Sequence, residues 1–267
     1  MAEEFFTSFD GTKLFANIET TADDRAVIVM VHGLAEHLGR YDYVAEKFHE
    51  AGIGTYRFDH RGHGRSEGEC AYLSDYNELL DDTNVLVDRA IAENPDKPVF
   101  LLGHSMGGFT VSAFCAKYPD KNLTGVITSG ALTCMEGNQF ATLPEMDPHT
   151  QLPNQLGDGV CSVQEVRDWY VKDPLNRMTF SAGLVYACTK GVAWLATSAS
   201  NIGYPILITH GEKDGLVGVH NAQWLFDHIS STDRQMKIYG NLFHEIMNEY
   251  CRDEVIGDYI HWMGYRI

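Results

Sequence analysis

The sequence predicts an α/β fold: a mostly parallel central sheet of about eight strands flanked by helices, with a helical cap inserted late in the chain. Three observations carry this. Strand-like and helix-like segments alternate along most of the 267 residues. The run Ala26–Val31 is apolar without a break, as in a strand covered on both faces. Between about Thr133 and Gly203 the alternation stops, and a structureless loop of that length is implausible in one compact domain. The expected organisation is a core of residues 1–132 and 204–267 with a cap at 133–203, lying over the carboxyl ends of the strands, where α/β sheets place their ligands.

Each element has its own signal. Glu4–Phe9 and Lys13–Glu19 read as a hairpin around Asp10-Gly11. A helix from about Tyr41 to Glu50 closes at Gly52, and Ile53–Phe58 is the next strand. From Asp75 to Glu93, residues Tyr76, Leu79, Leu80, Thr83, Leu86, Val87, Ala90 and Ile91 form one helical stripe, which Asn94-Pro95 ends. A strand at Val99–Leu102 leads to a helix through Lys117; Leu123–Ser129, Pro205–Thr209 and Arg234–Tyr239 are strands, and a final helix covers about Arg252–Met263. In the cap, Phe180–Ala199 holds one charge, Lys190, and is broken by Gly183 and Gly191; it reads as a pair of short helices, buried or in contact with lipid, rather than a membrane span.

Composition narrows the function. A formal net charge of −17 argues against nucleic acid and against electrostatic docking to anionic lipid. Met1-Ala2-Glu3-Glu4 shows no basic or apolar leader, and six scattered cysteines without a Cys-x-x-Cys pair suggest reduced thiols and a cytoplasmic protein. No histidine or cysteine spacing matches a metal site, so no metal or cofactor is expected.

The chemistry centres on Gly103-His104-Ser105-Met106-Gly107. Between a strand and a helix, this pattern puts Ser105 on a sharp turn that projects its hydroxyl, with flanking glycines where no side chain fits. The helix start aims unpaired N–H groups and its positive dipole end at that hydroxyl. Serine needs a base, and the base needs an acid to hold its tautomer. Asp214, in the loop after Pro205–Thr209, and His244, in the loop after Arg234–Tyr239, follow in the order Ser, acid, His. Glu212 is a rival acid, and His210 is expected to support the site rather than act as base. Two N–H groups should receive the developing oxyanion: that of Met106, and that of Leu34 in the loop His32–His37. His32, Glu36, His37, Asp59, His60 and His63 are expected to fix two loops by hydrogen bonding. In the cap, Leu184, Val185, Trp194 and Leu195 are candidates for contact with an acyl chain.

The segments His32–Tyr41, Asp59–Gly68, Gly103–Gly108, Asp173-Pro174-Leu175 and Phe243-His244-Glu245 together resemble the monoacylglycerol lipases and related lysophospholipases, over about residues 5–262. The resemblance implies an α/β-hydrolase fold with a mobile apolar cap that admits an acyl chain. It gives Ser105 the role of nucleophile, His244 that of base, Asp214 that of acid, and Leu34 and Met106 those of oxyanion donors. The stretch from Glu136 to Gly159, polar and Pro-rich, departs from the family pattern. The expected reaction is hydrolysis of a carboxylic ester, foremost a monoacylglycerol, to fatty acid and glycerol through an acyl-serine. The expected partner is a small lipid ester, with transient contact between cap and membrane or micelle. Alternatives are a short-acyl or hydroxycinnamoyl carboxylesterase, a lysophospholipase, an aminopeptidase using Glu136, Glu145, Glu165 or Asp168 to hold an ammonium, and a non-catalytic ligand receptor on the same scaffold.

Overall fold

Strand β3 (Ala26–Val31) explains its own composition: Val27, Val29 and Val31 enter one hydrophobic core, and Ala26, Ile28 and Met30 enter another. Alternate residues point to opposite faces of a sheet, so a strand with a core on each side must be apolar throughout. The computed structural model describes residues 2–155 and 159–267; Met1 and the part of the predicted cap at 156–158 lie outside the described residues.

The chain opens with β1 (Ala2–Thr7), β2 (Lys13–Glu19) and β3. Helix α1 (Asp42–Glu50) leads to β4 (Ile53–Phe58), and α2 (Asn77–Glu93) to β5 (Val99–His104). Then come α3 (Met106–Lys117) and β6 (Gly125–Ser129). Within 133–203 lie β7 (Gln151–Pro153), α4 (Gln164–Lys172), β8 (Thr179–Ser181) and α5 (Ala182–Ser198). The chain returns to the sheet with β9 (Ile206–Gly211), α6 (His220–His228), β10 (Arg234–Tyr239) and α7 (Arg252–Gly264).

Eight strands form one sheet in the order β1-β2-β4-β3-β5-β6-β9-β10, parallel from β4 to β10, with β1 and β2 antiparallel at one edge. Helices α2, α3 and α6 contribute to the core on one face, α1 and α7 to the core on the other. Helix α3 is buried on every side, because α5 packs across the face it turns away from the sheet.

The structure corrects several expectations. Strand β1 stops at Thr7 rather than Phe9, because Ser8 turns inward to bond the buried Asp82, whose carboxylate also takes two bonds from Arg61. Phe180–Ala199 is not a pair of short helices: α5 is one helix of 17 residues. Its glycines are sites of close packing, since a Cβ on Gly191 would stand 2.4 Å from the Phe109 ring and one on Gly183 would stand 2.6 Å from Tyr72. Helix α4 and the antiparallel β7–β8 pair were not foreseen. Helix α4 is amphipathic, with Val166, Trp169 and Tyr170 at helical spacing, but it is only nine residues long and none of it is fully buried.

Candidate active site

The turn at Ser105 follows from two close contacts. A Cβ on Gly103 would lie 2.2 Å from Gly107 O, and one on Gly107 would lie 2.1 Å from Val31 O. Ser105 itself has φ 55° and ψ −117°, a conformation that costs on the order of 1–3 kcal/mol. Hydrogen bonds hold it there: Ser105 N donates to Ser129 O at 2.9 Å, and Phe109 N donates to Ser105 O at 3.0 Å. Met106 follows as the first residue of α3, with one of the N–H groups that a helix start leaves unpaired.

His244 lies beside this turn. It is 4 % exposed, its ring centroid is 4.6 Å from that of His104, and it lines the same cavity as Ser105. Its Nδ1 donates to Asp214 Oδ2 at 2.7 Å, which leaves Nε2 as the nitrogen able to take a proton. The other oxygen of Asp214 accepts from Leu216 N at 2.9 Å and Val217 N at 2.8 Å. His210 Nε2 stands 3.0 Å from Asp214 Oδ2 and 2.7 Å from Val217 O, tying the same loop to the end of β9. Burial opposes a charge on Asp214, but His244 and His210 outweigh it and hold the carboxyl well below the usual range. Burial likewise opposes a charge on His244, and Asp214, then Glu245 and Glu36, reverse the balance and raise its pKa. The rival acid Glu212 is exposed and accepts from Asn241 N, pointing elsewhere.

The loop carrying Leu34 is held from within. Gly33 N donates to Glu36 Oε1 at 2.5 Å, and Tyr41 donates to the same oxygen at 2.7 Å. The histidines foreseen as loop supports take that part: His60 N donates to His32 Nε2 at 2.9 Å, and the His32 and His60 rings meet edge to face at 4.4 Å. Asp59 Oδ1 accepts from Leu38 N and its Oδ2 from Arg65 N, while His37 Nε2 reaches Asp173 at 2.9 Å. Ala35 bends the loop with φ 61°, and its carbonyl accepts from Arg177 N and the Tyr170 hydroxyl.

One cavity, about 840 Å³ when the solvent at its open mouth is counted, joins these parts. Gly33, Leu34, Ser105, Met106 and His244 form its centre. Leu132, Met135, Phe140, Leu184, Val185, Cys188, Leu216 and Val217 supply an apolar wall, and Glu36, Arg40, His104, Tyr170 and Glu245 a polar one. Leu184 and Val185 therefore stand where the sequence places them. Trp194 and Leu195 do not: Leu195 is sealed in the core and Trp194 stacks on Tyr76. They sit nearly three turns further along α5, beyond the point where Gly191 closes on Phe109 and Tyr76. Of the carboxylates considered for an ammonium, Glu136, Glu145, Glu165 and Asp168 are all exposed and outside the cavity wall.

Sequence reasoning missed the polar wall. Arg40 bridges Glu36 at 2.6 Å and Glu245 through two bonds of 2.7 Å, and its guanidinium lies 4.8 Å from the Tyr170 ring centre. Burial works against this cation, and Glu245 and Glu36 more than offset it, raising its pKa further. The signal was Glu245 directly after His244, a charge with no obvious reason to sit inside a site.

Comparison with known proteins identifies the family. A family model described as serine aminopeptidase, S33, matches residues 22–250. A monoacylglycerol lipase of Mycolicibacterium smegmatis is 34% identical over 270 residues, spanning 98% of this chain and 96% of the relative. The human monoglyceride lipase is 29% identical over 254 residues, 90% of this chain and 82% of its own. The crystal structure of the Paleococcus ferrophilus monoacylglycerol lipase superposes with a TM-score of 0.83 at 26% identity, covering 95% of this chain and 99% of that one. The chain thus belongs to the serine aminopeptidase S33 family and is a monoacylglycerol lipase-like α/β-hydrolase.

Proposed function

We propose that this protein hydrolyses monoacylglycerols, with Ser105 as nucleophile, His244 as base, Asp214 as its orienting acid, and the N–H groups of Leu34 and Met106 as oxyanion donors. Residues 133–203 act as the cap over a core of 1–132 and 204–267. The observation that carries this reading is the cavity itself, whose lining brings Ser105 and His244 together with apolar side chains such as Leu184 and Val185 and with the polar cluster of Arg40, Glu36 and Glu245. An ester of a polyol with a fatty acid has the same division of character.

The steps balance. Ser105 Oγ bonds to the ester carbonyl carbon and its proton passes to His244 Nε2, while the carbonyl oxygen takes the charge. Collapse of this intermediate breaks the bond to the glycerol oxygen, which leaves with the proton from His244. Water then attacks the acyl-serine, giving its proton to His244, and Ser105 departs from the carbon with that proton as the fatty acid forms. Oxyanion donors of this kind are each worth about 3–4 kcal/mol of barrier. Along the apolar wall, each buried methylene of the acyl chain contributes about 0.8 kcal/mol.

The mycobacterial and human relatives are both named for monoglyceride hydrolysis, which supports the same substrate class here. We also assign the protein a transient contact with uncharged lipid aggregates, through Trp169 and Val171 on α4, which are 72% and 69% exposed. Six free thiols, one of them exposed, favour a reducing compartment and hence the cytoplasm.

The test is a rate profile on p-nitrophenyl esters from two to sixteen carbons, with 1-acylglycerols alongside. The expected optimum is at medium or long chains, and Val185→Trp should move it to shorter ones. A maximum at two carbons would sink the lipase reading in favour of a short-acyl esterase.

A further inference from the structure

Glu249 is a carboxylate 1 % exposed that the account so far does not use. One of its oxygens accepts from Phe243 N at 3.2 Å and from Ser162 N at 2.9 Å. The other accepts from the Ser162 hydroxyl. Among the described residues no cationic side chain pairs with it. A buried charge supported only by neutral donors is costly, and its donors here come from two places: the residue before His244 and the predicted cap.

The residue after His244 is tied to the same stretch of chain. Glu245 N donates to Val160 O at 2.8 Å. Cys161 between them donates its thiol to Asn248 O at 3.6 Å. The backbone on both sides of His244 is therefore fastened to residues 160–162, and through them to a segment that contributes no strand to the central sheet. From the other direction, Lys213 N donates to Leu242 O at 2.8 Å, which keeps the His244 loop beside the Asp214 loop.

We propose that Glu249 is a positioning residue for His244, joining the backbone of Phe243 to Ser162 so that the seated cap holds the base in line with Ser105 and Asp214. The inference rests on the proposed roles of those three residues and deepens them. A cap displaced at 160–162 releases both flanks of His244 together, so the site is assembled only under a seated cap. Substrate would still bind, because the acyl-facing residues Leu184 and Val185 belong to α5 and lie outside this junction, from which only Val160 lines the cavity.

The test measures kcat, KM and the pH profile of kcat on one 1-acylglycerol for Glu249→Gln, Glu249→Ala, Ser162→Ala and the double alanine variant. Expected for Glu249→Ala is a loss of about thirtyfold or more in kcat with KM within about threefold, since only alignment is lost. Its acid limb should move to lower pH, because a His244 no longer aligned with Asp214 loses the interaction that raises its pKa. Glu249→Gln keeps an oxygen for the two N–H donors and should recover most of the rate and the wild-type limb. The double variant should be no worse than Glu249→Ala, the two residues acting as one unit. If Glu249→Ala does not fold, Ser162→Ala decides alone: a kcat loss of about three- to tenfold at unchanged KM supports the strut. A kcat within about twofold of wild type in the folded alanine variants, an unmoved acid limb, or additive losses overturn it. Ser105→Ala serves as control: if that variant keeps its activity the functional reading falls, whereas a dead Ser105→Ala beside a normal Glu249→Ala removes only the strut.

Discussion

Asp214 holds His244 with one carboxylate oxygen, 2.7 Å from Nδ1, while its other oxygen is fixed by the N–H groups of Leu216 and Val217. A carboxylate held at both oxygens cannot rotate away from the imidazole, so the ring keeps the tautomer with its proton on Nδ1.

Asp214→Asn should therefore cost far more activity than stability. An amide at this position can donate to Nδ1 and force the proton to Nε2, where it blocks deprotonation of Ser105. The expected fall in kcat is roughly 10³- to 10⁴-fold, with a cooperative unfolding curve near that of wild type. Steady-state rates and urea unfolding check it. A loss below about tenfold would remove Asp214 from the role of acid.

The Leu34 contribution is assigned to its backbone, so Leu34→Ala should leave kcat within about threefold of wild type. Gly33→Ala is the informative contrast. A Cβ there would stand 2.8 Å from Glu36 Oε1 and 3.2 Å from Ser105 Cβ, displacing the loop from Ser105. We expect a loss of about tenfold or more in kcat, measured on the same ester. Equal rates for the two variants would contradict the assignment of the oxyanion site to this loop.

Acid should unfold the protein through its buried histidines. Burial, reinforced by neighbouring imidazoles, holds His60 down to about 3 and depresses His32 strongly. Burial alone dominates at His63, and burial with His244 at His104, each lowered to about 4. In the unfolded chain these four take protons near pH 6.5, so stability is full above that value and is lost as pH falls toward 4. His244 and the exposed His149 act in the opposite sense, since a raised pKa favours the folded state as the ring protonates, but they are two groups against four. Asp214 adds its loss only below the ordinary carboxylate range. Urea midpoints between pH 7 and 4 should decline steadily, and a flat profile would contradict the burial of these rings.

The sheet was largely legible because its strands sit between two cores. Ala26–Val31 and Ile53–Phe58 agree with the sequence reading at both ends, and so does Arg234–Tyr239, although it is an edge strand with only Tyr239 buried. The Ser105 turn was legible because backbone oxygens exclude any side chain at Gly103 and Gly107. The cap was not, for the opposite reason. Helix α4 spans only nine residues and is anchored by polar contacts such as Tyr170 to Ala35 O and Asn154, so its brief apolar stripe is too short to stand out within a polar, Pro-rich stretch. Glycine in α5 read as a break because its packing partners, Tyr76 and Phe109, lie more than seventy positions away. Arg40 with Glu36 and Glu245, and Ser162 with Glu249, are likewise long-range pairs of polar residues. Nothing local distinguishes them from surface charge.

The proposed attack of the Ser105 hydroxyl on the ester stands or falls with hydrolysis of a 1-acylglycerol by Ser105→Ala, measured beside acyl-glycerol binding to the same variant. Turnover should fall by roughly 10⁵-fold or more while the fold and ligand affinity persist. Hydrolysis continuing near the wild-type rate would contradict it.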